Sequence, residues 1–567
     1  MIKLFIPRKP LLPLLWILLT AVSIHSQSSS TTVTLLSTTD SHGHLLAWDY
    51  ATAQPASYGL DKVATLIAQQ RASAPHALLL DCGDTTEGTP LLYYFAKKQP
   101  DQPNPAIAAF NALHYDAMAV GNHEFNFGPT AMWKAKSESH FPWLAANLKQ
   151  TYAPGDPGYI PPYTIVTVDG VRVTIVGFVT PGVVRWELPE NYKGYEFEPI
   201  LDAAKTIIPE ARSKSDLLVV IMHSGIDHDP DHPERGAVKH DPRVENENAA
   251  LQIAQNVPGI DVIFYGHTHL EKPQLKVNGV LMAQAKNWGG SLVRADVQMQ
   301  KDDSGAWHVA EKHSTAIEIT PDTPENPEIK QLIQPYHDAT EKYLSTVVAT
   351  SDATLDGTAA RYQDSALVDV VHRAQLDAAH AQVSFATLFN SDTVIHSGPV
   401  TIRDMFALYS YENVLYAIEL TGAQLKDALE HAAGMLPAWR FPEGKREPLP
   451  GYSFDSAEGV SYEINLTNPH GSRIVNLRFH NKTVDPAQKF CVAVNNYRYY
   501  GGGEYRAFQN APIVWRSDEG IRDLLIEYLQ RQKKFPLGLP DNWRVQPPEA
   551  REAIDMEAKV EKIARQH

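Results

Sequence analysis

Five times between Val33 and His269 a short apolar run stops on side chains able to bind metal or move protons, and this repetition constrains the fold more than any other feature of the chain. VTLLS (33–37) leads to Asp40 and His42, ALLL (77–80) to Asp81 and Asp84, and AMAV (117–120) to Asn122 and His123. LLVVIM (217–222) leads to His223, and DVIFY (261–265) to His267 and His269. Apolar runs of this kind read as strands buried on both faces, the condition of parallel strands in a sheet covered by helices. In such sheets ligands collect beyond the carboxyl ends of the strands, where all five clusters fall.

A chain of 567 residues is too long for one hydrophobic core, so at least two domains are expected. Lys3, Arg8 and Lys9 precede an apolar segment from Leu11 to about Ile24 and then small polar residues. This is the layout of a signal peptide over 1–26, which implies a secreted or periplasmic protein. No later segment is apolar enough over sufficient length to span a membrane. Residues 27–318 carry the five runs and form the first domain; 319–345, rich in proline and charge, form a linker whose helix starts near Asn326 or Pro327. Residues 346–545 read as a second α/β domain, with SALVDVVHRAQLDAAH helical by period and KFCVAVNNY strand-like, and 546–567 as a charged helical tail. Cys82 and Cys491 fall in different domains, so no disulfide is expected. The formal charge of -16, without a basic stripe, argues against a nucleic-acid polymer as partner. An anionic substrate therefore needs a local positive charge, such as bound metal ions. A monomer is expected.

The donors Asp40, His42, Asp84, Asn122, His223, His267 and His269 are too many for one tetrahedral ion and suit two divalent ions sharing a carboxylate. Asp84 is the natural bridge, because a carboxylate offers one oxygen to each ion and an imidazole cannot. Asp40, His42 and His269 complete one site; Asn122, His223 and His267 complete the other. Nitrogen and oxygen donors without thiolate suit manganese, zinc, cobalt or iron better than calcium. The histidine- and aspartate-rich stretch 227–250 has scattered spacing and reads as a solvated insertion near this site.

In the order DSH, GD, GNHE, H and GHTH the chain resembles the dimetal metallophosphoesterases. The extension GNHEF, the second domain and the export signal resemble the 5'-nucleotidase family within them. The resemblance implies a four-layer α/β/β/α metallophosphoesterase sandwich, followed by a C-terminal α/β substrate domain, and a hydrolase that releases phosphate from nucleotides. It makes His123 the residue over the substrate phosphate. Many 5'-nucleotidases have Asp where this chain has Asn126, and that Asp favours the protonated histidine. An asparagine oxygen orients the ring but supplies no charge. Either His123 works with a lower pKa, or another acid such as Asp81 compensates.

The resemblance also implies that the second domain stacks the base between two aromatic rings: Tyr497 in NNYRYYGGG, and Tyr452 or Phe454 in GYSFDSAEG. Typical members carry Asn-x-Gly-Gly-x-Arg, whose arginine holds the nucleotide phosphate. Here the stretch reads FNSDTVIHSG (389–398), with Asn390 kept and no arginine; Arg403 or Arg498 would have to substitute. GNHEFN and NSDT resemble the 2',3'-cyclic-nucleotide 2'-phosphodiesterase/3'-nucleotidase branch. The alternatives are a 5'-nucleotidase or UDP-sugar hydrolase or, in another class, a weakly catalytic nucleotide-binding surface protein.

Overall fold

The computed structural model describes residues 30–238, 244–436, 453–536 and 541–554. The expected signal peptide, Tyr452 and the part of the tail beyond residue 554 lie outside them. Among the described residues no helix is long and apolar enough to cross a membrane.

Two six-stranded sheets stack face to face in the first domain. One runs, in spatial order, Trp307–Glu318, Ser291–Lys301, Ser30–Thr38, Leu78–Asp81, Ala117–Ala119 and Trp143–Leu144. The other runs Lys272–Val277, Val280–Gln284, Val262–Tyr265, Leu217–His223, Val171–Val179 and Tyr163–Val168. The strands that carry the site pair in parallel, with Leu35 opposite Leu78, Leu80 opposite Ala117 and Val219 opposite Val262. Their alternate side chains meet between the sheets: Val33, Leu35, Leu80 and Ala119 from the first pack with Ile175, Val219, Ile221 and Phe264 from the second. The opposite faces are covered by helices. Ile200–Arg212 and Ala250–Asn256 cover the second sheet, and Leu60–Ser73 and Pro105–Ala112 the first, completing the four layers α/β/β/α. Each site strand is thus apolar on both faces, which explains the unbroken apolar runs.

The helix Pro327–Leu344 starts with proline in its first turn, and the Asn326 side chain accepts from the Glu328 and Ile329 amides at 3.0 and 3.2 Å. Ile329, Ile333 and Leu344 join one apolar cluster with Ile107 and Phe110 of the first domain and Leu367 and Leu525 of the second. The second domain is built on a five-stranded sheet containing Val383–Ala386, Lys489–Asn495 and Val414–Thr421, with Ile513–Gly520 at its edge, and a separate four-stranded sheet. Its helix Ala366–Ala379 is capped by the Ser365 side chain. Cys82 and Cys491 are free thiols.

Candidate metal centre and substrate cleft

The strand ends deliver their side chains to one place. Around Asp84 Oδ2 lie His223 Nε2 at 3.0 Å, His42 Nε2 at 3.6 Å and His123 Nε2 at 3.9 Å. Asp40 Oδ1 is 3.3 Å from His269 Nε2, and His42 and His269 face each other through their Nε2 atoms at 3.2 Å. The ring of His267 lies 5.1 Å from that of His223, and its backbone amide donates to the Asp40 carboxylate. Among the described residues three sets of donor atoms fall within ion-holding distance: Asp40 with His42 and His269, Asp40 with Asp84 and His223, and His42 with Glu87 and His123. Asn122 completes the floor of the adjoining cleft.

This arrangement fits divalent cations. Asn122 Oδ1 and His223 Nε2 are buried without a hydrogen-bond partner, His223 beside the carboxylates of Asp84 and Asp40, a costly state for both unless something else coordinates them. Burial opposes ionisation of Asp84, yet His223 and His123 beside it hold the carboxyl well below the ordinary range, so the bridge position carries its charge. Burial likewise lowers the affinity of His223 for a proton, but Asp84 outweighs it and pushes the pKa up to about 9. A carboxylate-rich field of this kind is what a divalent cation neutralises.

The backbone is bent to the task. Asp40, His42, Asp84, His267 and His269 all have left-handed φ, from 45° to 75°, a conformation costly for residues with a Cβ and found where surrounding structure enforces it. The Asp84 loop is held by Glu124, whose buried carboxylate accepts from the amides of Gly121, Asp84, Thr85 and Thr86 at 2.7 to 3.0 Å. A Cβ on Gly121 would lie 2.2 Å from Asp84 Oδ1, so only glycine lets the two loops close.

Around His123 the expectation for Asp81 is corrected. Asp81 is buried under the site strands, bonded to Thr38 Oγ1 at 2.7 Å and to the Gly83 amide at 2.8 Å; burial there raises its pKa to about 7. The acid at His123 is Glu87, with Oε2 2.9 Å from Nδ1, alongside Asn126 Oδ1 at 2.6 Å. Burial works against a charged His123, but Asp84 and Glu87 hold its pKa well above the ordinary value. Sequence reasoning missed Glu87, Glu124 and two further carboxylates. Glu187 accepts from Asn126 Nδ2 at 2.8 Å, and Glu247, at the end of the 227–250 insertion, lies 3.1 Å from His267 Nε2. For Glu124 the signal was present in GNHE; Glu247 sits in the stretch read as a solvated insertion, and no motif marks Glu87 or Glu187.

A cleft of about 530 Å³ opens from Asn122 and His123 towards the second domain. Trp186, stacked on His267 with 5.4 Å between ring centres, lines the metal side. Tyr497 lines the far side together with Tyr411 and Phe389, which pack edge to face at 4.8 Å. Phe454 does not reach the cleft. It is 6% exposed and packs against Trp543 in the core of the second domain, whereas Tyr411, which lines the cleft, is 48% exposed. Asn390 is also outside: it is exposed and its Oδ1 caps the Asp392 amide at 2.9 Å. Neither arginine substitutes freely for the absent one. Arg498 is held bidentately by Asp455 at 2.7 and 2.8 Å, and Arg403 reaches Glu341 of the connecting helix at 2.6 Å.

Residues 33–271 match the family model of calcineurin-like phosphoesterases, and 347–510 that of the 5'-nucleotidase C-terminal domain. A Haemophilus influenzae protein named 2',3'-cyclic-nucleotide 2'-phosphodiesterase/3'-nucleotidase is 28% identical over 92% of this chain and 88% of its own length. The trifunctional nucleotide phosphoesterase YfkN of Bacillus subtilis is 29% identical over 95% of this chain, which spans 41% of that protein. Among solved structures, a 5'-nucleotidase precursor from Thermus thermophilus superposes with a TM-score of 0.62 at 25% identity, covering 91% of this chain and all of that one.

Proposed function

Because this chain belongs to the 5'-nucleotidase family of calcineurin-like phosphoesterases and is a phosphoric ester hydrolase, we propose that it is an exported, dimetal nucleotide phosphohydrolase acting on 2',3'-cyclic and 3'-nucleotides. One observation carries the reading: a single cleft has Asn122, His123 and His267, beside the other converging donors, on one side and the rings of Tyr411 and Tyr497 on the other. Phosphate and base of one nucleotide would engage both sides at once.

Asp40, His42, Asp84 and His269 would hold one divalent ion and Asp84, Asn122, His223 and His267 the other, of manganese, zinc, cobalt or iron. Two such ions, when bound, supply Lewis acidity at the phosphorus and water of lowered pKa. The chain's own residues do the rest. Glu87 and Asn126 hold Nδ1 of His123, which leaves Nε2 as the donor facing a phosphate oxygen or the departing ribose oxygen. Tyr411 and Tyr497 stack the base, which suits any base because each has a flat face.

The preference for cyclic and 3' substrates is supported by the arginines. Residues 389–398 hold none, and Arg498 is already neutralised by Asp455. Export is supported by residues 1–26. The test is phosphate release from 5'-AMP, 3'-AMP and 2',3'-cyclic AMP by protein reconstituted with manganese, with alkaline phosphatase added for the cyclic substrate only, so that ring opening without phosphate release is also counted. Higher kcat/KM on the cyclic or 3' substrates is expected; preference for 5'-AMP would keep the metal chemistry and sink the substrate assignment.

A further inference from the structure

We infer that Glu87 is the acidic partner of His123 in this chain, the charge having moved from the position of Asn126 to a carboxylate on a different loop, where it acts as a positioning residue. This rests on the phosphohydrolase reading above. The resembling 5'-nucleotidases place an Asp three residues after the histidine; here Asn126 occupies that place and keeps its geometry, with Oδ1 2.6 Å from Nδ1. Its amide cannot turn round, because Nδ2 donates to Glu187 Oε1 at 2.8 Å, and Glu187 is itself held by Asn191 Nδ2 at 2.9 Å. Asn126 therefore presents a neutral acceptor and nothing else. The charge comes from Glu87 Oε2, 2.9 Å from the same nitrogen, on a side chain 13% exposed.

Glu87 is also fixed from behind. Its backbone carbonyl lies 3.2 Å from His42 Nδ1, and the next residue, Gly88, has φ 130° and would drive a Cβ to 2.6 Å from the His42 Cβ. One residue thus orients a metal-competent histidine through its backbone and the phosphate-facing histidine through its side chain. The two acceptors divide the work at Nδ1. Asn126 fixes the angle of the ring, and Glu87 strengthens the hydrogen bond that Nε2 makes to developing negative charge.

The division is tested in the manganese-loaded, full-length enzyme with 2',3'-cyclic AMP and bis(p-nitrophenyl) phosphate as probes, comparing wild type, Glu87→Gln, Asn126→Asp and the double variant. Glu87→Gln is expected to lower kcat about 100-fold, to leave KM within about threefold and to leave two equivalents of metal bound. Adding Asn126→Asp to it returns the charge to the other acceptor and is expected to recover at least about tenfold in kcat. Wild-type kcat in Glu87→Gln overturns the inference, as does loss of a metal equivalent, which would make Glu87 a ligand, or a folded double variant with no recovery. Glu87→Asp covers the case in which Gln prevents folding: it keeps the charge on a shorter arm and is expected to lose about tenfold in kcat, and full kcat there also overturns the inference. A wild type that hydrolyses neither probe with any divalent metal sinks the underlying phosphohydrolase reading, and is read from the wild type alone.

Discussion

Two buried histidines, one in each domain, meet opposite electrostatic surroundings. His223, at the end of its strand in the first domain, faces Asp84, and its pKa is pushed up to about 9 although burial pulls the other way. His372, in the second domain, lies between the hydroxyls of Ser384 and Ser456 at 3.1 Å each, and burial lowers its pKa to about 3. The first domain surrounds its imidazoles with charge that needs a cation; the second buries its imidazole as a neutral hydrogen-bonding strut. The same contrast extends to the cleft, where one wall is made of side chains fixed at strand ends and the other of flat rings, Tyr411 on a loop and Tyr497 on the short helix Asn496–Tyr499. The first wall tolerates almost no change of residue type, while the second requires only an aromatic face.

The sharpest way to break this comparison is Asp84→Asn, which keeps the volume and removes the charge on which three imidazoles converge. Turnover is expected to fall by at least about 10³-fold, with metal lost in parallel as read by elemental analysis; retention of both would show that Asp84 is not the bridge. On the opposite wall, Tyr411→Ala or Tyr497→Ala should weaken kcat/KM for nucleotides by about 5- to 150-fold, the equivalent of about 1 to 3 kcal/mol of stacking. Turnover of a phosphodiester without a base should stay within about twofold, and an equal loss on both would refute stacking as the role of these rings.

The contrast between the histidines sharpens with pH. The folded pKa of His372 lies below its ordinary 6.5, so below pH 6.5 the unfolded chain takes a proton that the folded chain refuses until about pH 3. Its contribution is whole above pH 6.5 and is lost as pH falls. Between pH 7 and pH 5 this should remove about 2 kcal/mol of stability, and urea unfolding at both pH values should show the loss shrinking in His372→Gln. An unchanged pH slope in that variant would mean that the ring is protonated in the fold. The smallest effect is expected at the rim, where Arg516 pairs with Glu190 across the cleft mouth and both side chains are nearly half exposed. Arg516→Ala should change kcat/KM by about twofold or less.

The first wall was legible in the amino-acid sequence because its chemistry prescribes residue types and its strands prescribe their place. An aspartate, asparagine or histidine after an apolar run has few other reasons to recur five times. Glu87, Glu187 and Glu247 were not legible: each arrives from a loop, and nothing in the local composition separates a glutamate that folds back onto a histidine from one that stays in water. The second wall was half legible for a related reason. Tyr497 lines the cleft, but Phe454 is apolar on all sides and found a better place against Trp543, while Tyr411, with a hydroxyl that tolerates water, stays at the surface. Arg498 is occupied by Asp455, a partner distant in sequence that no local pattern announces.

The left-handed backbone at Asp40, His42, Asp84, His267 and His269 has a consequence for how this centre can evolve. The residues that best relieve such a conformation are glycine and asparagine, and neither supplies an imidazole or a negative charge. At each of these positions, selection for an easy main chain and selection for a donor favour different codons, so there is no neutral path by which the donor can drift away and return. Once the activity is no longer needed, the same positions should be the first to change, and towards glycine or asparagine. Inactive descendants of such a chain would therefore be marked by those two residues at the ends of strands that otherwise remain intact.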